Sequence, residues 1–136
     1  MKQNKNVGEG IVAGNASWTF GDVTPQHFNE HVRRSVPLYE NGHELVAKIS
    51  DYFVKPDSVC YELGVSTATL IKKLALRHNK CIKWVGIDSE KKMIEKAKEE
   101  INNNNVTIDN IELSVDDINL FPYEHSDLIV SYYTIQ

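Results

Sequence analysis

Three short segments, each following an apolar run, carry the residues of this sequence that could do chemistry. They are Glu62-Leu63-Gly64-Val65-Ser66-Thr67-Ala68, Asp88-Ser89 and Asp116-Asp117-Ile118. Gly64 has no side chain, so a ligand can approach the main chain closely there. A helix starting beyond it would offer free N–H groups to a carboxylate or phosphate. The competing reading is a tight strand-to-helix turn and nothing more. Only one glycine of a G-x-G-x-G pattern is present, and Ser66 and Ala68 stand at the other two positions. Asp88 lies 24 residues after Gly64, near the spacing at which an acid meets a ribose. A carboxylate there accepts hydrogen bonds from the 2′- and 3′-hydroxyls and disfavours a 2′-phosphate. The alternative is that Asp88 and Ser89 only cap the helix that follows. Asp117, next to a backbone amide, suits an adenine edge; taken separately, it is an acidic residue in a solvated loop. Together the three segments read as adenosine recognition spread over three consecutive strand ends.

Other candidates are weaker. His27 and His31 are four apart on a predicted helix, but no glutamate directly follows His27, so the zinc-protease motif is absent. Asn15-Ala16-Ser17 matches a glycosylation acceptor without a secretory context to give it meaning. There is no G-x-x-x-x-G-K-[ST] loop and no G-x-S-x-G elbow. Cys60 and Cys81 sit in apolar segments without metal-ligand spacing, and both are expected to be buried small hydrophobes. The net charge of −4 and the lack of a basic block argue against nucleic acid as a partner. No run of eighteen apolar residues is present, which excludes a membrane-spanning helix. The polar N-terminus has no apolar stretch to serve as a signal, so the cytoplasm is the expected compartment.

The elements that position these segments follow from periodicity. Residues 1–23 lack it and read as an N-terminal arm, with Trp18 and Phe20 suited to packing. Thr24-Pro25 signals a helix start, and the segment Gln26 to Ser35 runs on until Pro37 interrupts. Leu45, Val46, Ile49 and Phe53 predict a helix over Asn41 to Phe53. Then the pattern alternates. Strands are predicted at Ser58–Leu63, Ile82–Ile87, Ile108–Ser114 and Leu128–Tyr133. Helices are predicted at Ser66–Arg77 and after a Ser89 cap, with Met93, Ile94, Ala97 and Ile101 on one face. Asn102 to Asn105 reads as a loop. Alternating strands and helices predict an α/β parallel sheet with right-handed crossovers, preceded by N-terminal helices. The expected boundaries are an arm, 1–23, and one domain, 24–136.

The chain resembles the Rossmann-like, class I S-adenosylmethionine-dependent methyltransferases. The likeness rests on Glu-x-Gly after the first strand, an acid after the second and Asp117-Ile118 after the third. It is more particularly similar to the carboxy-S-adenosylmethionine synthase group through Trp18-Thr19-Phe20 and Arg34-Ser35-Val36-Pro37-Leu38-Tyr39. Ile87-Asp88, Met93-Ile94 and Thr134-Ile135-Gln136 extend that likeness. The resemblance implies a sheet of about seven strands with helices on both faces, of which about four fall in this chain. The domain is therefore expected to be truncated at its C-terminus. S-adenosylmethionine is the implied cofactor. Tyr39 would reach over it, Gly64 would line its methionine end, Asp88 would hold the ribose, and Asp117 and Ile118 would bracket the adenine. Glu62, Ser66, Ser89 and Tyr132 complete the expected cofactor site. For Tyr39 the alternative is a core aromatic beside Pro37.

The chain departs from the synthase group in two places. Gly64-Val65-Ser66-Thr67-Ala68 stands where the group has Gly-Cys-Ser-x-Gly. Tyr132 stands where it has an asparagine that helps hold the cofactor or its modified group. The expected function is accordingly methyl transfer to a small molecule or tRNA-related acceptor. The alternatives are a carboxy-S-adenosylmethionine synthase-like enzyme and a non-catalytic S-adenosylmethionine-binding fragment. A NAD oxidoreductase is disfavoured by the single glycine. No general base is assigned. Self-association through the edge of the fourth strand is expected.

Overall fold

The computed structural model describes residues 5–6, 11–14, 17–20, 24–78, 81–103 and 108–134. The chain divides into two compact units, residues 1–37 and 38–136. In the first, strands β1 (Lys5–Asn6), β2 (Ile11–Gly14) and β3 (Ser17–Phe20) form an antiparallel sheet in the order β1-β2-β3. Sequence periodicity predicts an arm here, because strands of two to four residues are too short to display an alternation. Gly14 pairs with Ser17 across the β2–β3 connection. The expected packing of Trp18 and Phe20 lies outside the described side chains. Helix α1 (Thr24–Ser35) starts at the Thr-Pro signal.

The second unit runs α2 (Tyr39–Ser50), β4 (Val59–Leu63), α3 (Thr69–Arg77), β5 (Lys83–Asp88), α4 (Lys91–Asn102), β6 (Ile111–Val115) and β7 (Leu128–Ser131). The four strands are all parallel, in the order β6-β5-β4-β7. This is the α/β Rossmann-like arrangement the alternation predicts. The register aligns the strand ends: Leu63 is paired with Ile87 on one side and Ser131 on the other, and Asp88 with Val115.

One face of the sheet, bearing Cys60, Trp84, Ile111, Leu113, Leu128 and Val130, packs against Ala47 of α2, Leu70, Ile71 and Leu74 of α3, and Ile94 and Ala97 of α4. Each large apolar side chain buried there contributes about 1.5–3 kcal/mol. The opposite face carries Tyr61, Val85 and Ile87, with Ile118 and Phe121 laid against them. Helices on both faces are expected; among the described residues that face is covered by the irregular segment 116–127. Pro122, Asp116, Asp117 and Asn119 leave that segment no 3.6-residue apolar period.

Three helix starts differ from expectation, α2 beginning at Tyr39 rather than Asn41. The helix after β4 begins at Thr69 rather than Ser66, because Ser66 and Ala68 are in the left-handed region. The N-cap of α4 is Glu90 rather than Ser89. No described side chain caps the helix; Asp88 Oδ1 accepts the Glu90 N–H at 2.9 Å, ahead of its first turn. Cys60 is buried as expected, whereas Cys81 is exposed, since it precedes β5 and stands outside the core. Of the Asn102–Asn105 loop, residues 104 and 105 lie outside the described residues. No helix among the described residues is long and apolar enough to cross a membrane.

Candidate functional site

The C-terminal ends of β6, β5, β4 and β7 stand side by side, and hydrogen bonds tie their exit turns together. Ile87 C=O accepts from the Gly64 and Val65 N–H groups at 2.8 and 2.9 Å. The Asp88 carbonyl accepts from Asp116 N–H at 3.0 Å. Asp88 Oδ2 accepts from Ser66 N–H at 2.9 Å. The three segments singled out in the sequence therefore meet at one edge, outside the carboxyl ends of parallel strands. In open α/β sheets that is where ligands bind.

The turn after β4 is strained in a regular way. Gly64, Ser66 and Ala68 have φ of 68°, 54° and 64°, so alternate residues are left-handed although two of the three carry a Cβ. A left-handed non-glycine residue costs about 1–2 kcal/mol, and such strain persists where surrounding contacts impose it, typically at functional sites. The backbone thus adopts the form for which a G-x-G-x-G sequence is suited, with Ser66 and Ala68 at its second and third positions. Asp88 supplies one of the imposing contacts through Ser66 N–H, and Ala68 N–H donates to Val65 C=O at 2.9 Å.

Gly64 meets Thr134. A Cβ on Gly64 would overlap the Thr134 side chain, and Thr134 Oγ1 donates to Leu63 C=O at 2.8 Å. The open approach expected over Gly64 is thus used, on that side, by a residue of the chain itself. Nothing in the spacing of the sequence signals Thr134, which reaches Gly64 only through the β4–β7 pairing. Gly64→Ala is expected to cost about 2–4 kcal/mol, the sum of left-handed strain and overpacking. A thermal or urea denaturation midpoint indistinguishable from the parent would refute this account of the turn.

Glu62, on the helix-covered face of β4, is 5% exposed. Its Oε2 has no hydrogen-bond partner among the described residues. Burial pushes the carboxyl up to about 8; a backbone hydrogen bond from Ile71 opposes the shift and the Asp88 charge adds to it. Burial also raises Asp88, against the Glu90 and Ser66 N–H groups that stabilise its charge. Both bonds make Asp88 an anchor of the turn after β4 and of the turn that leads into α4. Each carboxylate oxygen retains acceptor capacity beyond its single N–H, so anchoring the two turns and binding a ribose are compatible. Ser89 is exposed beside it.

Asp117 shows a similar double use. Its Oδ1 accepts from the Asn119 N–H at 2.8 Å and Nδ2 at 2.9 Å, and its own N–H donates to Asp116 Oδ1 at 2.8 Å. The Asp117 amide is therefore engaged locally. Ile118 packs on the second face of the sheet, and its carbonyl accepts from Tyr123 Oη at 2.6 Å.

Tyr39 and Tyr132, from opposite ends of the described unit, come together with a residue that sequence reasoning missed. His43, one turn after Tyr39, is buried, with ring centroids 4.3 Å from Tyr39 and 5.0 Å from Tyr132. Its position four residues after Tyr39 on a helix was a usable signal. Tyr132 Oη donates to Tyr39 C=O at 3.2 Å and occupies the space a side chain on Gly42 would need. Tyr39 is thus neither a lone lid nor a residue beside Pro37 alone; it belongs to an aromatic group that closes the β7 end. Tyr133, exposed and left-handed at φ 55°, adds a fourth ring 4.9 Å from Tyr132. Of the Thr134-Ile135-Gln136 match, Ile135 and Gln136 lie outside the described residues.

A family profile described as "Methyltransferase domain" matches residues 55–136. The carboxy-S-adenosyl-L-methionine synthase of Staphylococcus epidermidis is 32% identical over 120 residues, covering 88% of this chain and 50% of that protein. The chain spans about half the length of the curated relatives it matches. Among solved structures, a candidate S-adenosyl-L-methionine-dependent methyltransferase from Methanococcus maripaludis superposes with a TM-score of 0.65 at 23% identity, covering 87% of this chain and 54% of that one. A SAM-dependent methyltransferase from Aquifex aeolicus gives 0.63 at 18%, covering 83% and 57%. At these identities the structural likeness bears on the fold.

Proposed function

Because the chain belongs to the methyltransferase domain family, we propose that it is the S-adenosylmethionine-binding part of a methyltransferase, residues 24–136 forming the cofactor domain. The observation that carries this reading is the joined set of strand ends: a left-handed turn at Gly64, Ser66 and Ala68, held by Asp88, with Glu62 beneath it. The residues fit the group. Glu62 offers an unpartnered carboxyl oxygen to a cationic aminoacyl end, Asp88 has acceptor capacity left for ribose hydroxyls, and Asp117 and Ile118 border the place expected for adenine. When bound, S-adenosylmethionine supplies a methyl group on a sulfonium, a donor that needs no further activation. The residues of the chain then act by positioning. They fix the donor, exclude water and leave the methyl accessible to an acceptor. Ser66 and Ser89 edge the site, and Tyr39 and Tyr132 wall its β7 side. The acceptor is a small molecule or a tRNA-related group, and the compartment is the cytoplasm.

A second reading is favoured by one observation, the 32% identity to a carboxy-S-adenosyl-L-methionine synthase. In that case S-adenosylmethionine is the substrate that acquires a carboxyl group, and Tyr132 stands beside the place where it is added. Calorimetric titration with S-adenosylmethionine, S-adenosylhomocysteine and NAD tests the main reading. Micromolar binding of the first two and none of the third is expected. Binding of NAD alone would overturn it. Carboxy-S-adenosylmethionine, the product in that case, bound more than tenfold tighter than S-adenosylmethionine would select the second reading.

Self-association through β7 is part of the proposal. Among the described residues β7 is an edge strand, Ile129 on it is half exposed, and the outer side of α2 carries Leu45 and Ile49 exposed. Unpaired edges beside apolar surface pair readily with other chains. Light scattering coupled to gel filtration is expected to give a dimer that Ile129→Lys shifts toward monomer. A parent monomer at all accessible concentrations would count against it.

A further inference from the structure

Away from the strand ends, α2, α3 and β5 meet around His78, the residue that closes α3 in an extended conformation. Ser50 Oγ lies 2.7 Å from His78 Nε2 and donates its hydrogen to Ala47 C=O at 2.6 Å. A hydroxyl has one hydrogen to give, so toward the ring Ser50 can only accept. The neutral imidazole therefore carries its proton on Nε2, and Nδ1 keeps a lone pair. Serine, histidine and aspartate are the residue types of a hydrolytic triad, but this is not one. Asp51 Oδ1 is 3.8 Å from the same nitrogen that meets Ser50, where a triad needs the acid on the other nitrogen. Ser50 is also 1% exposed, out of a substrate's reach. The group joins elements instead. We propose that His78 is a pH-sensitive latch: neutral, it fastens the end of α2 to α3; protonated, it leaves Ser50 and frees α2, with the aromatic group at its far end, to shift.

The surroundings of the ring favour the neutral form. From α2 it faces Asp51, but both oxygens of that carboxylate are taken by Arg77 Nε and Nη2 at 2.7 and 2.6 Å. From α3 it faces Arg77 itself, a like charge to an imidazolium. From β5 it faces Trp84, fully buried, its ring 5.9 Å away and tilted by 31°. Trp84 Nε1–H has no partner among the described residues, so a proton on Nδ1 adds one more donor to a neighbourhood that already lacks an acceptor. By swinging out from the end of α3, an imidazolium regains water and competes with Arg77 for Asp51. Both moves abandon Ser50. The other pins between the two helices, Glu44 with Lys73 and Asp51 with Arg77, are partly exposed ion pairs. At the start of α2, Tyr132 Oη holds Tyr39 C=O and His43 packs against both rings. A continuous helix fastened at both ends carries a change at one to the other.

The sign of the pH dependence follows. Burial holds His78 below the usual imidazole range, with Asp51 opposing and Arg77 assisting. The unfolded chain takes up its proton near about 6.5, where the folded latch does not. The contribution of the latch to stability is thus full above that pH, falls as pH drops through it, and levels off below the folded-state midpoint.

The experiment is nuclear magnetic resonance of the full chain, isotopically labelled, titrated between pH 8 and 5. At pH 8 the His78 ring proton should be on Nε2, and its titration midpoint should lie below that of a free imidazole. With that same midpoint, exchange protection of the Phe53 and Val54 amides, which donate to Ser50 C=O at 3.1 and 3.0 Å, should fall at least fivefold relative to intrinsic rates. The ring signals of Tyr39 and Tyr132 should shift with it. His78→Gln, which keeps a donor for Ser50 and cannot titrate, should abolish both changes. A ring proton on Nδ1, a midpoint at or above that of free imidazole, or α2 changes that persist in His78→Gln would overturn the proposal. Should the variant not fold, the tautomer and midpoint of the parent decide.

Discussion

Glu62→Gln is expected to stabilise the ligand-free chain at neutral pH while weakening its hold on the cofactor. The folded-state carboxyl lies at about 8, against 4.5 for the unperturbed group. Between those values the native state holds a proton that the unfolded chain has released, so stability falls as pH rises through the window. Glutamine has nearly the same shape and no charge to bury. The advantage of the variant should therefore be near zero at pH 4.5, grow with pH, and level off above 8. At pH 7 it amounts to about 3 kcal/mol, and roughly 10 °C in the melting midpoint. Melting curves recorded at pH 5, 7 and 8.5 test this. A difference between parent and variant that does not change with pH would mean that Glu62 is not held neutral by burial. The result would be an instance of function maintained against stability, a common cost of sites that keep strained or desolvated groups.

Asp88→Ala should act in the opposite direction on stability and the same direction on binding. The substitution leaves the Ser66 and Glu90 N–H groups without their acceptor. A hydrogen bond to a charged group contributes about 1.5–3 kcal/mol, less where it is exposed, as it is at Glu90. Relief of the desolvation of Asp88 offsets part of the loss, so a net destabilisation of about 2 kcal/mol is expected. The larger effect is local. Without Oδ2 the left-handed turn loses the contact that holds Ser66, and cofactor affinity should fall at least a hundredfold. Asp88→Asn, able to accept only one of the two N–H groups, should lie between. If Asp88→Ala kept the parent's melting midpoint and lost binding, the residue would be a ligand contact without the anchoring role assigned to it. If both properties were kept, the site would be misplaced.

The alternation of short apolar runs with helical stripes was sufficient to read the parallel sheet, because the helices between the strands lay their apolar stripes together on one face of it. The positions of Gly64, Asp88 and Asp117 were legible for a related reason: each follows the end of a strand, and parallel strands end on one edge. What the sequence did not reveal depends on contacts distant along the chain or on backbone conformation. Ser66 and Ala68 look like the first residues of a helix by composition, yet both are left-handed, imposed in part by an acceptor on the next strand. Ser89 looks like a cap, yet Glu90 takes that position without a side-chain capping bond. Thr134 was noted only as part of a likeness, and its contact with Gly64 depends on the β4–β7 pairing. The three short strands before α1 have too few residues for a period to show.

Thr134 has a consequence for the order in which the protein is made. The strand that bears Glu62 is flanked on one side by β5, available soon after it, and on the other by β7, more than sixty residues later. Pairings of such separation close large loops and are slow to form. On the ribosome, the Gly64 turn must wait, one side uncovered, until residue 134 has left the exit tunnel. For the several seconds this takes at ordinary elongation rates, the nascent segment holds a half-built site and a central strand with one open side. Stalling the ribosome beyond that point, rather than before it, should mark the step at which protease resistance at the turn first appears.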